Sequence, residues 1–268
     1  MSFEIPSNQE ELDARRERIE DEINNFKGKI SEKFADTDLE KVTEALDFML
    51  KIHLPQADRV DGKPFASHPL AVAERVMELS DNPELAIAAL IHDSVEDQSD
   101  RIFLERFNRK YPDRNFLNIK INEEGKKKHK EVFKAWSFRE LKEKFGDNVK
   151  GYVESMTNHD YYSLADDSGL EGDAKHDFIN KLYAEHVEDI ISDPELFTLK
   201  LADLSVNIDL HSLDSTSEKY QKLKRKYKSV IEAVLTKLNS LEEGHPIYGK
   251  KDTIITELNQ IYTEQYSK

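Results

Sequence analysis

The chain has 268 residues, 38% apolar and 35% charged, and carries a formal charge of −15. That acidic balance argues against duplex nucleic acid as a partner, because tight nonspecific binding runs on phosphate neutralisation by Lys and Arg. Cysteine is absent, which excludes disulfides, thiol catalysis and cysteine-ligated zinc.

The pattern predicts an all-α protein, since no run alternates with period two over a strand's length. No stretch approaches the roughly 18 apolar residues of a membrane span, and the charged N-terminus does not resemble a signal peptide. A cytoplasmic protein with no membrane partner is expected. Residues 8–33 read as a very charged, peripheral helix. Next, Leu39, Val42, Ala45, Leu46, Met49 and Leu50 form a core-facing helical stripe that stops at Pro55. A polar turn follows at Asp61-Gly62-Lys63-Pro64, and His68-Pro69 opens another helix.

Asn82-Pro83-Glu84 is a helix start, with asparagine as cap and proline in the first turn. The helix it opens, ELAIAALIHDSVED, is apolar on nearly every side from Leu85 to Ile91. Such a helix sits in the middle of a domain, so its polar end, HDSVED, emerges from the core. Residues 98–135 read as a polar surface excursion with a short helix over 101–110. They include the basic run Lys126-Lys127-Lys128-His129-Lys130, whose plain reading is a solvated face.

Ser137 and Glu140 match a capping box before the stripe Phe138, Leu141, Phe145, Val149, Tyr152, Val153 and Met156. Residues 158–173 look like a polar loop, followed by a helix over 174–191. Asp193-Pro194-Glu195 repeats the cap-and-proline start and opens the apolar run TLKLADLSV. Helices over 217–240 and 252–265 complete the chain. The expected organisation is one domain: a peripheral N-terminal helix over 1–35, a helical core over 36–245 with the 98–135 insertion, and a C-terminal helix within 246–268 packed on it.

Three His-Asp dipeptides occur, and those at 159–160 and 176–177 lie in polar surroundings that suit solvated side chains. His92-Asp93 instead continues an apolar helix at the core boundary, where an unpaired charge is costly. Helical spacing puts His92, Asp93, Glu96 and Asp97 on adjacent strips of one surface. Three carboxylates that close repel one another unless a proton or cation intervenes, and imidazole plus carboxylate suits a divalent metal. His68 and Asp203 can complete the set. Each also has a plain reading, His68 as a helix-end histidine and Asp203 as the partner of Lys200. Asn207 shares the face of Asp203. Two histidines and two aspartates would leave an octahedral ion two positions for water and a substrate oxygen. Glu96 or Asp97 would then orient the nucleophile, with Arg59 and Lys63 the nearest cations for a phosphate.

Three ordered segments carry a family resemblance: Arg59-x-x-Gly62-Lys63-Pro64-Phe65-x-x-His68-Pro69, His92-Asp93-x-x-Glu96-Asp97, and Lys200-Leu201-Ala202-Asp203-x-x-x-Asn207. Together with Lys144-Phe145-Gly146-Asp147-x-Val149 and Met156-Thr157-Asn158, they resemble the hydrolase domain of RelA/SpoT-type proteins. These are HD-domain enzymes that remove the 3′-pyrophosphate of ppGpp and pppGpp, giving GDP or GTP. Nothing here resembles their synthetase domain, so the chain looks like a small, hydrolase-only alarmone hydrolase.

The resemblance implies an HD-domain helical bundle with additional terminal helices. It implies one Mn²⁺ per chain held by His68, His92, Asp93 and Asp203, other divalent metals being compatible with the donors. It gives Glu96 and Asp97 the attacking water, and Arg59 and Asn207 the nucleotide's base and sugar side. The sequence departs from the family at Leu204 and Asp209, where relatives commonly carry a cation, and in the longer gap between Asp97 and Phe145. The extra 98–135 segment, with its KKKHK run, would restore positive charge or cover the site. Readings of other classes are a different nucleotide phosphohydrolase, acting on an adenosine alarmone, a deoxynucleotide monophosphate or the 2′-phosphate of NADPH, and a binding domain without turnover.

Overall fold

A computed structural model describes residues 9–59, 61–113 and 121–267, and among the described residues there are thirteen α-helices and no strand. The all-α expectation is met. The chain packs as two compact units, the first reaching Glu74 and resuming over Asp81–Thr157, the second comprising Arg75–Ser80 and the chain from Asn158. To the first belong α1 (Gln9–Glu17), α2 (Glu20–Lys33), α3 (Asp36–His53) and the start of α4 (Ser67–Leu79), followed by α5 (Pro83–Ile91), α6 (Ser94–Lys110), α7 (Glu123–Phe145) and α8 (Asp147–Met156). The second holds the end of α4 with α9 (Tyr161–Asp167), α10 (Gly172–Ile190), α11 (Pro194–Asn207), α12 (Glu218–Asn239) and α13 (Lys251–Ile261).

Helix α5 is the centre of the first unit. Every residue from Leu85 to Ile91 is buried, and α3 and α8 pack against it. Its start is the one the sequence predicts: Asn82 Oδ1 accepts from the Glu84 N–H at 2.9 Å, with Pro83 in the first turn. Helix α3 contributes Val42, Ala45, Leu46, Met49, Leu50 and Ile52 to the same core and ends on the buried His53. The N-terminal segment is two helices, and α2 is anchored by the buried Ile23, Phe26 and Ile30.

The segment 98–135 is more helical than its polarity suggests. Helix α6 runs through to Lys110, and α7 begins at Glu123; residues 114–120 lie outside the described ones. Aromatic packing overrides the polar composition: Phe103 lies 4.6 Å from Phe107 and 5.0 Å from Phe133, ring centre to ring centre. The basic run sits on the first turns of α7, where Lys126 pairs with Asp100 at 3.2 Å.

Ser137 does not cap a helix. It lies inside α7 and donates its hydroxyl to the Ser99 carbonyl at 3.1 Å, while the buried Glu140 accepts from Arg106 at 2.8 Å and from Arg109. The S-x-x-E spacing also suits two polar side chains turned inward on one helix face. Helix α7 ends at Gly146, whose φ of +92° favours glycine, and α8 starts at once. Residues 158–173 contain α9, capped by Asp160, which accepts from the Ser163 N–H at 3.2 Å.

In the second unit Asp193 Oδ1 accepts from the N–H groups of Glu195 and Leu196, both at 2.9 Å, and α11 is buried from Phe197 to Leu204. Helix α12 buries Tyr227, Val230, Ile231, Val234 and Leu238 and packs with α10 and α13. Among the described residues no helix is long and apolar enough to cross a membrane. Glu140→Ala should cost about 1 to 2 kcal/mol in urea unfolding, because it removes the inner acceptor shared by Arg106 and Arg109 while Arg106 keeps Glu143. A loss below about 0.5 kcal/mol would show that this pair does not hold α6 to α7.

Candidate metal centre

His68 is placed by a tight turn. The N–H groups of Ser67 and His68 donate to the carbonyls of Pro64 and Phe65, each at 3.0 Å, and wind the chain into α4. The histidine is 4% exposed. His92, 3% exposed, follows directly on α5. Its Nδ1 lies 2.7 Å from the Ala89 carbonyl, which can only accept, so Nδ1 carries a proton and Nε2 is the nitrogen left to face Asp93. That Nε2 is 3.2 Å from Asp93 Oδ1, and His68 Nε2 is 3.5 Å from Asp93 Oδ2. The two rings cross at 62° with centres 5.3 Å apart. A donor nitrogen of one comes within 4.8 Å of a donor nitrogen of the other.

The sequence predicts one helix through the HD motif, and the structure corrects that. Helix α5 stops at Ile91, Asp93 (φ −85°, ψ −9°) precedes α6, and α6 is kinked at Gln98 (φ −134°, ψ 27°). Glu96 and Asp97 therefore lie on a single turn between two breaks, held by the Asp97 N–H donating to the Asp93 carbonyl at 3.0 Å. Within that turn Asp93, Glu96 and Asp97 keep the helical spacing that the sequence predicts; the break separates them from α5 and not from one another.

Asp97 still meets solvent. The protein packed around it, then the Asp93 carboxylate, disfavour its charge and push its pKa up to about 7, against the pull of a Gln56 N–H.

Behind Asp97 lies a buried polar chain that sequence reading missed. Gln56 Nε2 donates to Asp97 Oδ2 at 2.9 Å, Gln56 Oε1 is 2.8 Å from His53 Nδ1, and His53 Nε2 is 3.1 Å from Ser94 Oγ. His53 and Ser94 are fully buried, and Gln56 is 6% exposed. Burial is the largest cause lowering the His53 pKa to about 4, so this ring is neutral. Its signal in the sequence was a histidine at the polar end of a core helix, three residues before a glutamine.

In the second unit Asp203 is buried on α11. Its Oδ2 accepts from Lys200 Nζ at 3.0 Å and its Oδ1 from Asn207 Nδ2 at 2.6 Å, so the ion pair with Lys200 and the shared face with Asn207 both form. Burial opposes the charge on Lys200, yet Tyr183 and Asp203 outweigh it and hold that pKa well above the usual lysine range.

The predicted phosphate cations have other partners. Lys63 Nζ lies 2.9 Å from Glu22 on α2, and Arg59 Nε is 3.8 Å from Asp61 in its own turn. Where the family commonly has a cation, Leu204 is buried. At the other departure Asp209 is exposed; against some desolvation, the His211 N–H and side chain and Gln265 hold its pKa low.

Residues 65–261 match the HD domain family, and the chain belongs to it. Two proteins named probable guanosine-3′,5′-bis(diphosphate) 3′-pyrophosphohydrolase are similar in sequence. That of Mycoplasma pneumoniae is 38% identical over 73 residues, which are 27% of this chain and 10% of that protein. That of Mycoplasma genitalium is 29% identical over 222 residues, covering 75% of this chain and 29% of that protein. The chain thus spans less than a third of the length of either curated relative. A solved structure described as a metazoan ortholog of SpoT that hydrolyses ppGpp and plays a role in starvation responses has a TM-score of 0.51. It is 16% identical and covers 86% of this chain and 97% of its own. It shares the fold.

Lys200→Met should destabilise the protein by about 3 kcal/mol, because it strands the buried carboxylate of Asp203. Adding Asp203→Asn should recover part of that loss in a double-mutant cycle, and strictly additive losses would contradict the pairing.

Proposed function

We propose that the protein is a metal-dependent phosphohydrolase that removes the 3′-pyrophosphate of ppGpp and pppGpp, giving GDP and GTP, and that it acts in the cytoplasm. The observation that carries this reading is the pair of buried histidines joined through Asp93 at the end of α5. It is supported by membership of the HD domain family and by relatives named for this reaction.

In this reading His68, His92, Asp93 and Asp203 hold one divalent ion, Mn²⁺ being the proposed one. Two imidazole nitrogens and carboxylate oxygens fit such an ion, and a cation would relieve the repulsion among Asp93, Glu96 and Asp97. When bound, the ion lowers the pKa of water and polarises a phosphoryl oxygen. Glu96 and Asp97 orient the attacking water and take up its proton, as carboxylates standing beside the ligand aspartate. Arg59 and Asn207 bind the base and sugar side of the nucleotide. Lys63 contributes positive charge by releasing Glu22, an exposed and therefore weak pair.

A second reading, hydrolysis of a less phosphorylated nucleotide, is favoured by Leu204 and the ionised Asp209. Product analysis of the manganese-loaded protein with ppGpp separates the two. Equal amounts of GDP and pyrophosphate are expected. Intact ppGpp, with orthophosphate released from another nucleotide, would replace the first reading by the second.

His92→Ala and Asp203→Ala should lose both manganese binding and turnover. Glu96→Gln should keep the metal, measured by calorimetry, and lose most of the rate; loss of metal in that variant would make Glu96 a ligand.

A further inference from the structure

The chain of hydrogen bonds behind Asp97 has a direction that its end groups dictate. Ionised Asp97 can only accept, so the Gln56 group facing it is the amide N–H. That leaves Gln56 Oε1 facing His53, so His53 Nδ1 is the donor there. The ring is neutral, so His53 Nε2 accepts and the Ser94 hydroxyl donates. Each link forces the next. Every proton points from Ser94 toward Asp97, and alternative rotamers of the glutamine or tautomers of the histidine break two bonds at once.

The chain is also held rigidly. His53 lies in the last turn of α3 and stacks on Phe65, with ring centres 5.1 Å apart and planes at 22°. Gln56 follows in the turn closed by its own N–H donating to the His53 carbonyl at 3.0 Å. Ser94 and Asp97 belong to the single helical turn after the HD dipeptide. Three polar side chains are thus taken almost wholly out of water, at a desolvation cost, to end on a carboxylate that reaches solvent. A histidine serving only to fill the core has no need of that outlet.

We infer that Ser94, His53 and Gln56 are positioning residues that fix the Asp97 carboxylate for its part in hydrolysis, an inference that rests on the function proposed above. The Gln56 amide occupies Oδ2 and sets the side-chain rotamer, so Oδ1 is the oxygen presented to water. None of the three touches substrate. They act through Asp97, by holding its carboxylate through the Gln56 hydrogen bond.

The test compares His53→Phe, which keeps a ring against Phe65 without nitrogens, with His53→Gln, which keeps one donor and one acceptor. For ppGpp with Mn²⁺, His53→Phe should lower kcat about 10- to 100-fold. KM and manganese affinity should stay within about twofold, and His53→Gln should recover most of the rate. Gln56→Met, which cuts the chain beside Asp97 without opening a cavity, should fall like His53→Phe and serves if the latter does not fold. Wild-type kcat in His53→Phe or Gln56→Met, equal losses in the two His53 variants, or manganese affinity falling in step with kcat would each overturn the inference. Crystal structures give a readout independent of substrate: Asp97 should leave its wild-type rotamer in His53→Phe and Gln56→Met, and an unchanged rotamer overturns the inference. If the wild-type protein does not cleave ppGpp, the proposed function fails, and the Asp97 rotamer still decides whether the chain positions it.

Discussion

Helix α5 can meet water on no side, and the chemistry of the first unit depends on that constraint. Burying Leu85, Ile87, Leu90 and Ile91 contributes on the order of 10 kcal/mol, enough to set where the helix ends against the cost of holding polar groups there. It ends one residue before His92. The imidazole turns back to the Ala89 carbonyl, which fixes its tautomer, and Asp93 spans the gap to His68 on the preceding helix, α4. The same core also buries the end of α3, so His53 arrives behind Asp97 from an element sequence-distant from the HD motif.

Charge explains what such a place is for. The protein packed around Asp97, and then the nearby carboxylates of Asp93 and Glu96, raise its pKa to about 7. A cation held by the two histidines and Asp93 would offset that repulsion and favour the ionised form of Asp97. Asp203 is prepared differently, paired with Lys200 and Asn207 on the buried face of α11. Lys200 is held charged there by Tyr183 and Asp203 despite its burial.

Much of this was legible in the residues. The two cap-and-proline starts, at Asn82 and Asp193, form as local chemistry dictates, because an Asn or Asp side chain needs only its own next turn to complete the bond. The all-apolar α5 and the aspartate in TLKLADLSV announced a buried helix and a buried partner, and both are present. What failed depended on tertiary contacts. Spacing cannot show the breaks at Asp93 and Gln98. Nor could composition reveal that Phe103, Phe107, Phe133 and Trp136 gather into one cluster that makes helices of a polar segment. Ser137 and Glu140 misled because an inward hydrogen bond and a cap share one spacing. His53 and Gln56 went unread because neither is a metal ligand or a catalytic type in an obvious motif. Their meaning lies in a bond to Asp97, 41 positions beyond Gln56.

The most direct test of the metal centre is anomalous diffraction at the manganese edge from crystals of the manganese-loaded protein. One strong peak is predicted, within coordination distance of His68, His92, Asp93 and Asp203. A peak bound elsewhere, or one that leaves Asp203 bonded only to Lys200 and Asn207, would contradict the proposed ligand set.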